Sequence, residues 1–423
     1  MLFKEMLATV IKDQRKELEL PVGLVRREAL PEIFPPGGTS AAIVKGIRRC
    51  GKSTLLKQFL HERFQEKFFY LNFDDERLMG FEAEDFQKAM ETFIEIYGSR
   101  KVVFFDEIQN VPGWELFINR LLREGFSVFI TGSNANLLSR DLGTHLTGRH
   151  LDHELYPFSF REYLASRKIN FRSPQGFSTE EISTALREFR EYMVFGGMPE
   201  PTMSHNPALV GQIVEDIIQK DIIRRHKIRK QNELKNALMF LIRNSANKIT
   251  ASAISGNFGI QSPATAQKYI EYAEESCLVF QVRKYEPKLK QFDKNPRKIY
   301  CIDNGIVSRL SPGILEQQGS LLENLVAVEL KHRGAQFYYF MNKNGSETDF
   351  VIAANGKISE AIQVCLNPSD FSTMQREEKA LIRTLDEAGL SKGIIITLEH
   401  EQIKKAGNKS IHYVPAWKWL LKR

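Results

Sequence analysis

Gly46-Ile47-Arg48-Arg49-Cys50-Gly51-Lys52-Ser53 carries the pattern G-x-x-x-x-G-K-[ST]. Each fixed type has a chemical reason. Gly46 and Gly51 open backbone conformations barred to other residues, so that successive N–H groups can turn toward one anion at a helix N-terminus. Lys52 can then bridge the β- and γ-phosphates of a nucleotide, and the Ser53 hydroxyl can join a magnesium shell. Arg48, Arg49, Cys50 and Thr54 complete the set of expected ATP contacts. A chance glycine loop would lack the flanks seen here, an apolar strand from Ala41 to Val44 and a helix-like run from Thr54 to Phe59.

A second apolar run, Lys101 to Phe105, delivers two adjacent carboxylates, Asp106 and Glu107. After a phosphate loop in the same chain, Asp106 is expected to hold Mg2+ with Ser53, and Glu107 to polarise the attacking water as general base. Lys52, Glu107, Asn134 and Arg149 form the expected catalytic set. Asn134 follows the run Phe126 to Thr131, in Thr131-Gly132-Ser133-Asn134, where it could orient the water or touch the γ-phosphate. Arg140 and Arg149 could each offer charge to that phosphate, within the chain or across a subunit contact. The plainer alternatives are a Gly-Ser-Asn turn and solvated surface arginines. Cys50, beside Lys52 and a helix N-terminus, has a setting that can lower a thiol pKa. His145, His150 and His153 have no acidic or thiol partner spaced for a zinc site and are read as surface or packing residues.

These residues need a scaffold. Short apolar runs (Ala41 to Val44, Phe68 to Phe73, Lys101 to Phe105, Phe126 to Thr131) alternate with amphipathic stretches (Thr54 to Phe64, Phe86 to Tyr97, Trp114 to Arg123). That alternation predicts an α/β fold, with a parallel sheet covered on both faces. With 423 residues, several domains are expected: 1–38, an N-terminal helix and linker; 39–178, the P-loop core; 179–286, mainly helical; 287–423, a separate α/β unit. Leu234 to Ser245, Ile249 to Phe258 and Pro263 to Glu275 read as three helices, with a short β pair within Leu278 to Tyr285. No apolar run approaches the ~20 residues of a membrane span. No uncharged leader core opens the chain, and four scattered cysteines point to reduced thiols, so a cytoplasmic protein is expected. A net charge of +7 suits a polyanion but is too small to decide for one.

Gly46 to Thr54, Phe104-Phe105-Asp106-Glu107-Ile108-Gln109, Thr131 to Asn134, Leu146-Thr147-Gly148-Arg149 and Pro157-Phe158-Ser159-Phe160-Arg161-Glu162 together resemble a family of prokaryotic AAA+-like P-loop ATPases. The resemblance implies a winged-helix-like segment after the ATPase core and a C-terminal domain similar to restriction endonucleases. Lys220 to Lys230 is rich in Lys and Arg, and the third helix of a winged helix can enter a DNA groove; equally, such segments serve as lids or protein contacts. DNA, a protein partner and a homo-oligomer all stay open.

In the resemblance, Glu323 matches a helix acid and Asp349 a strand acid of a nuclease metal site, while Gln363 and Cys365 stand where an acid and a lysine should be. A glutamine is a weak neutral ligand, and a thiol supplies no fixed positive charge, so this domain is expected to lack nuclease activity. Glu347, Glu360 and Glu329 could form a different metal site, but the plainer reading is solvated carboxylates. The expected function is an ATPase switch for a C-terminal recognition domain; the alternative is a DNA-processing enzyme whose ATPase drives or gates an active nuclease.

Overall fold

The computed structural model describes residues 3–19, 23–29, 40–64, 67–133, 149–171, 176–286, 295–311, 318–367 and 371–422. Contacts divide the chain into two units, residues 1–156 with 275–277, and residues 157–274 with 278–423.

In the first unit, β1 (Ala41–Lys45), β2 (Phe69–Asn72), β3 (Val102–Asp106), β4 (Ser127–Gly132) and β5 (His150–Glu154) form one sheet in the order β2-β3-β4-β1-β5. Every pairing is parallel. Strands β1 to β4 follow the apolar runs, because a strand covered by helices on both faces can be apolar throughout. Strand β5 was not anticipated. Its sequence, His150-Leu151-Asp152-His153-Glu154, is polar because it lies at the sheet edge, where Asp152 meets Lys45 Nζ at 2.9 Å.

Aromatic packing sets the sheet against its helices. Phe104 of β3 stacks on Phe129 of β4 with ring centroids 4.5 Å apart, and Phe59 of the helix Lys52–Arg63 lies 5.0 Å from Phe129. Phe86, of Asp85–Tyr97, stacks on Phe117, of Trp114–Arg123, at 4.2 Å, and both rings approach Phe105. The opening helix is Lys4–Lys16. Its buried Gln14 brackets the backbone of β2, donating to Asn72 O at 3.0 Å and accepting from Asn72 N at 2.8 Å. Register pairs Val44 with Thr131, Phe105 with Ile130 and Asn72 with Asp106. The carboxyl ends of β1, β3 and β4 therefore meet at one edge, where open α/β sheets bind their ligands.

The second unit begins helical, with Phe160–Ser166, Thr179–Phe195, Pro199–Ser204 and Leu209–Asp216, the last running into a π-helical stretch, Ile217–Arg224. Both Phe160–Ser166 and Thr179–Phe195 start in capping boxes, Ser159 with Glu162 and Ser178 with Glu181. The three expected helices follow as Gln231–Arg243, Ala251–Phe258 and Pro263–Glu275.

The expected β pair is corrected. Val279–Val282 is a single strand, β7, whose partner lies outside Leu278 to Tyr285: β6 (Lys248–Ile249), β8 (Arg297–Cys301) and β7 make an antiparallel sheet in the order β6-β8-β7. The terminal sheet contains β9 (Phe337–Met341), β10 (Glu347–Ala354), β11 (Lys357–Val364), β12 (Lys392–Thr397), β13 (Gln402–Ala406) and β14 (Lys409–Pro415), in the order β13-β14-β12-β11-β10-β9. Only β12 runs parallel to its neighbours, β11 and β14. Helix Phe371–Ala388 packs Leu381 and Leu385 on Val351, Ala361, Ile395 and Ile411 of this sheet. Among the described residues, no helix is long and apolar enough to cross a membrane.

Candidate functional site

The loop after β1 is built by two close approaches. A Cβ on Gly46 would fall 2.2 Å from Leu155 O, so no other residue fits there without moving the backbone after β5. Gly51, with φ of 98°, caps the helix Lys52–Arg63 in a left-handed conformation that glycine adopts without strain. Lys52 is the first residue of that helix and is 5% exposed. Its ammonium bonds to loop carbonyls, Gly46 O at 3.1 Å and Ile47 O at 3.2 Å, and stands 3.8 Å from Glu107 Oε1.

Asp106 is fully buried at the end of β3. Thr131 Oγ1 donates to its Oδ1 and Tyr70 OH to its Oδ2, the latter at 3.2 Å, and the Ser53 hydroxyl bonds to the same carboxylate. Burial, then the charge of Glu107, push the Asp106 carboxyl above its ordinary value. A buried carboxylate under that pressure, joined to a hydroxyl, is a hard-oxygen set that fits magnesium, which takes one or two protein oxygens and completes its shell with phosphate and water.

Glu107 follows in a left-handed conformation, φ 52°, which turns its side chain back toward the loop. Its N–H donates to Thr131 Oγ1 at 3.2 Å; its Oε2 accepts from Gln109 Nε2 and, at 3.3 Å, from Ser133 N. Burial alone would raise this carboxyl, but Lys52, Gln109, Arg48 and the Ser133 amide outweigh it and hold Glu107 below its ordinary value. The pair thus splits, Asp106 upward and Glu107 downward, which leaves Glu107 ionised at neutral pH.

The structure brings Gly46, Gly51, Lys52, Ser53, Asp106 and Glu107 together. Asn134 and Arg140 lie outside the described residues. Arg149 is exposed and donates to Asn119 Oδ1 at 3.4 Å. A low thiol pKa at Cys50 is overturned. The side chain is fully buried, and desolvation raises the thiol despite Lys52 and Arg27.

Three residues escaped the sequence reading. Tyr70 was an unremarkable β2 aromatic; Gln109 lies within the Phe104 to Gln109 run, with no role assigned; Arg27 precedes the domain. Arg27 is 4% exposed and donates to Cys50 O at 2.7 Å and Tyr156 O at 2.6 Å. Gln58 accepts from Arg27 N at 3.3 Å and donates to Val25 O at 2.6 Å, so the helix after the loop holds the same segment. A long-range contact of this kind leaves no local periodicity to read.

A second charged cluster lies in the other unit. Lys298, on β8 and 4% exposed, directs its ammonium to Glu347 Oε1 at 2.6 Å, Glu323 Oε1 at 2.8 Å and Asp349 Oδ1 at 3.3 Å. Cys365 brings no charge to these carboxylates, and the ammonium beside them comes from β8. Burial pushes the Cys365 thiol up to about 11. Gln363 Nε2 donates to Asp349 Oδ2 at 2.8 Å and to Glu377 Oε2 at 2.7 Å. The reading of Glu329 and Glu347 as solvated is corrected: Glu329 is 3% exposed and paired with Arg333 at 2.8 Å and Arg161 at 3.5 Å, and Glu347 is half-buried between Lys298 and Lys248. Glu360 is exposed.

The AAA domain family matches residues 39–164, the stretch that carries Lys52, Asp106 and Glu107. Over 400 residues the chain is 33% identical to an uncharacterized protein of Methanocaldococcus jannaschii, MJ1544, covering 90% of this chain and 88% of that one. The chain belongs to the same AAA-domain family as that protein. An uncharacterized protein of Haemophilus influenzae is 31% identical over 309 residues, which cover 69% of this chain and 74% of the relative. Beyond its AAA domain the chain matches two families described as domains of unknown function, DUF8612 over residues 186–317 and DUF4143 over residues 318–419. Among solved structures, the S. cerevisiae Hsp104–ADP complex aligns with a TM-score of 0.32 at 15% identity, covering 63% of this chain and 42% of that one, too little shared geometry for inference.

Proposed function

We propose that this AAA-domain protein binds ATP with magnesium at the edge formed by β1, β3 and β4, hydrolyses it, and uses the nucleotide state as a switch for its C-terminal domain. The observation that carries hydrolysis is the split carboxylate pair, with Glu107 held ionised beside Lys52. In this reading the loop amides and Lys52 hold the β- and γ-phosphates, and Lys52 leaves its loop carbonyls when they arrive. Ser53 and Asp106 would hold magnesium, whose charge favours electron flow onto the leaving phosphate oxygen. Glu107 orients the attacking water and accepts its proton. Arg149, beside Ala41 at the amino end of β1, stands at the end of the sheet away from the loop and does not reach the γ-phosphate of its own site. Steady-state hydrolysis by wild type, Lys52→Ala and Glu107→Gln, each with and without duplex and single-stranded DNA, tests the reading. Turnover that both variants lose supports it; turnover indifferent to both sinks it.

The C-terminal unit is proposed to be a restriction-endonuclease-like module retained for recognition. A second reading, a DNA-processing enzyme with an active nuclease, draws support from Lys298, which brings an ammonium to Asp349 and Glu323. Nuclease chemistry of that kind needs a divalent ion in the cluster, and metal binding separates the two readings.

A further inference from the structure

We infer that the Lys298 ammonium is a built-in cation that takes the place of a divalent metal in the C-terminal carboxylate cluster. The inference deepens the recognition reading of that domain and rests on it. Donors already reach five of the six oxygens of Glu323, Glu347 and Asp349. Lys298 and Tyr300 OH meet Glu323 Oε1 at 2.8 and 2.7 Å. Lys298 takes Glu347 Oε1 at 2.6 Å, and Lys248 takes Oε2. Lys298 reaches Asp349 Oδ1 at 3.3 Å, and Gln363 Nε2 and Val364 N hold Oδ2 at 2.8 and 2.9 Å.

A divalent ion needs those lone pairs, at about 2.1 Å for magnesium. Among the described residues, no group of three or more His, Cys, Asp or Glu side chains is placed to hold a metal. Gln363 cannot help either. Facing two carboxylates, its amide must present Nε2 to them, and its Oε1 accepts from Asp349 N at 3.3 Å.

The backbone of Lys298 is anchored beneath the cluster, in the middle strand of the small sheet, paired with Lys248 on one side and Val282 on the other. Access is not the obstacle. A cavity of about 650 Å³, lined in part by Glu323, Glu347, Asp349 and Gln363, opens onto the cluster. Removing the ammonium would leave the Glu323 and Asp349 carboxylates without their counter-charge, while Glu347 keeps Lys248, and that pair would recruit a cation from the cavity.

The test is a Mn2+ titration of the nucleotide-free full chain, followed by the electron paramagnetic resonance of free Mn2+. Comparing each chain with its Asp349→Asn counterpart isolates this cluster from binding at Ser53 and Asp106. Wild type should show no Mn2+ that Asp349→Asn removes. Lys298→Met, neutral and of similar volume, should gain one ion at least tenfold tighter than any in wild type, and Asp349→Asn should abolish it. A Mn2+ bound by wild type and lost in Asp349→Asn overturns the inference, and needs no folded Lys298 variant to do so. A folded Lys298→Met chain that gains nothing overturns it too. Lys52-dependent hydrolysis, measured on the same preparations, reports separately on the ATPase reading.

Discussion

Arg27→Ala should loosen the phosphate loop from outside it. The side chain is 4% exposed, and its guanidinium donates to Cys50 O at 2.7 Å and Tyr156 O at 2.6 Å. Truncation leaves each buried carbonyl one donor short. At about 1.5–2 kcal/mol for each, the loss is about 3–4 kcal/mol. For a unit of roughly 150 residues, about 3 °C for each kcal/mol, this lowers the first transition by about 9–12 °C. Differential scanning calorimetry of the full chain reads this directly, and repeating the scan with ATP and magnesium reads the loop. Because Cys50 lies within the loop, the nucleotide-induced rise in melting temperature should shrink as well. Arg27→Lys, able to reach one carbonyl, should fall between. A melting temperature within about 3 °C of wild type, with an undiminished nucleotide shift, would refute the reasoning.

Gln109→Ala removes the amide that holds Glu107 Oε2; kcat should fall about tenfold to a hundredfold, the range of a mispositioned base, while ATP affinity by equilibrium dialysis stays within about twofold. Buried Cys50 should resist maleimide in the native chain and react only on unfolding; labelling as fast as a free peptide thiol would disprove its burial. Asp303, buried beneath the Gly196-Gly197 turn, is pushed by burial to about 6, against an ordinary 3.8. The folded chain therefore binds this proton first as pH falls, and stability from this group is lost as pH rises from 4 to 6, by about 3 kcal/mol. Denaturant titrations across that window should show the slope in wild type and lose it in Asp303→Asn; an unchanged slope would assign it elsewhere.

The phosphate loop and the Asp106-Glu107 pair were legible because they are contiguous, with fixed types at fixed spacing between runs of unmistakable period. Strand β5 was not, since an edge strand bears no apolar signature, and β8 was hidden because its partner Val279–Val282 had been given a nearer one. Lys298 shows the limit most clearly. The sequence places a thiol at Cys365 and so argues for a missing charge, whereas the fold brings an ammonium to Glu323 and Asp349 from 25 and 51 residues away. Separation along the chain says nothing of charge across a sheet.

The order β6-β8-β7 also has a consequence for how this chain is made. Strand β6 has two residues and β7 four, and both find their partner only in Arg297–Cys301. During synthesis the helices Gln231–Arg243, Ala251–Phe258 and Pro263–Glu275 leave the ribosome before the strand that closes their sheet. Their apolar faces and the edge of β7 then wait, unpaired, for a pairing some 50 residues distant from β6. Such non-local closure is slow relative to helix formation and leaves the nascent chain open to aggregation, so yield should fall when elongation is slowed after Pro263–Glu275 has emerged and before Arg297–Cys301 has.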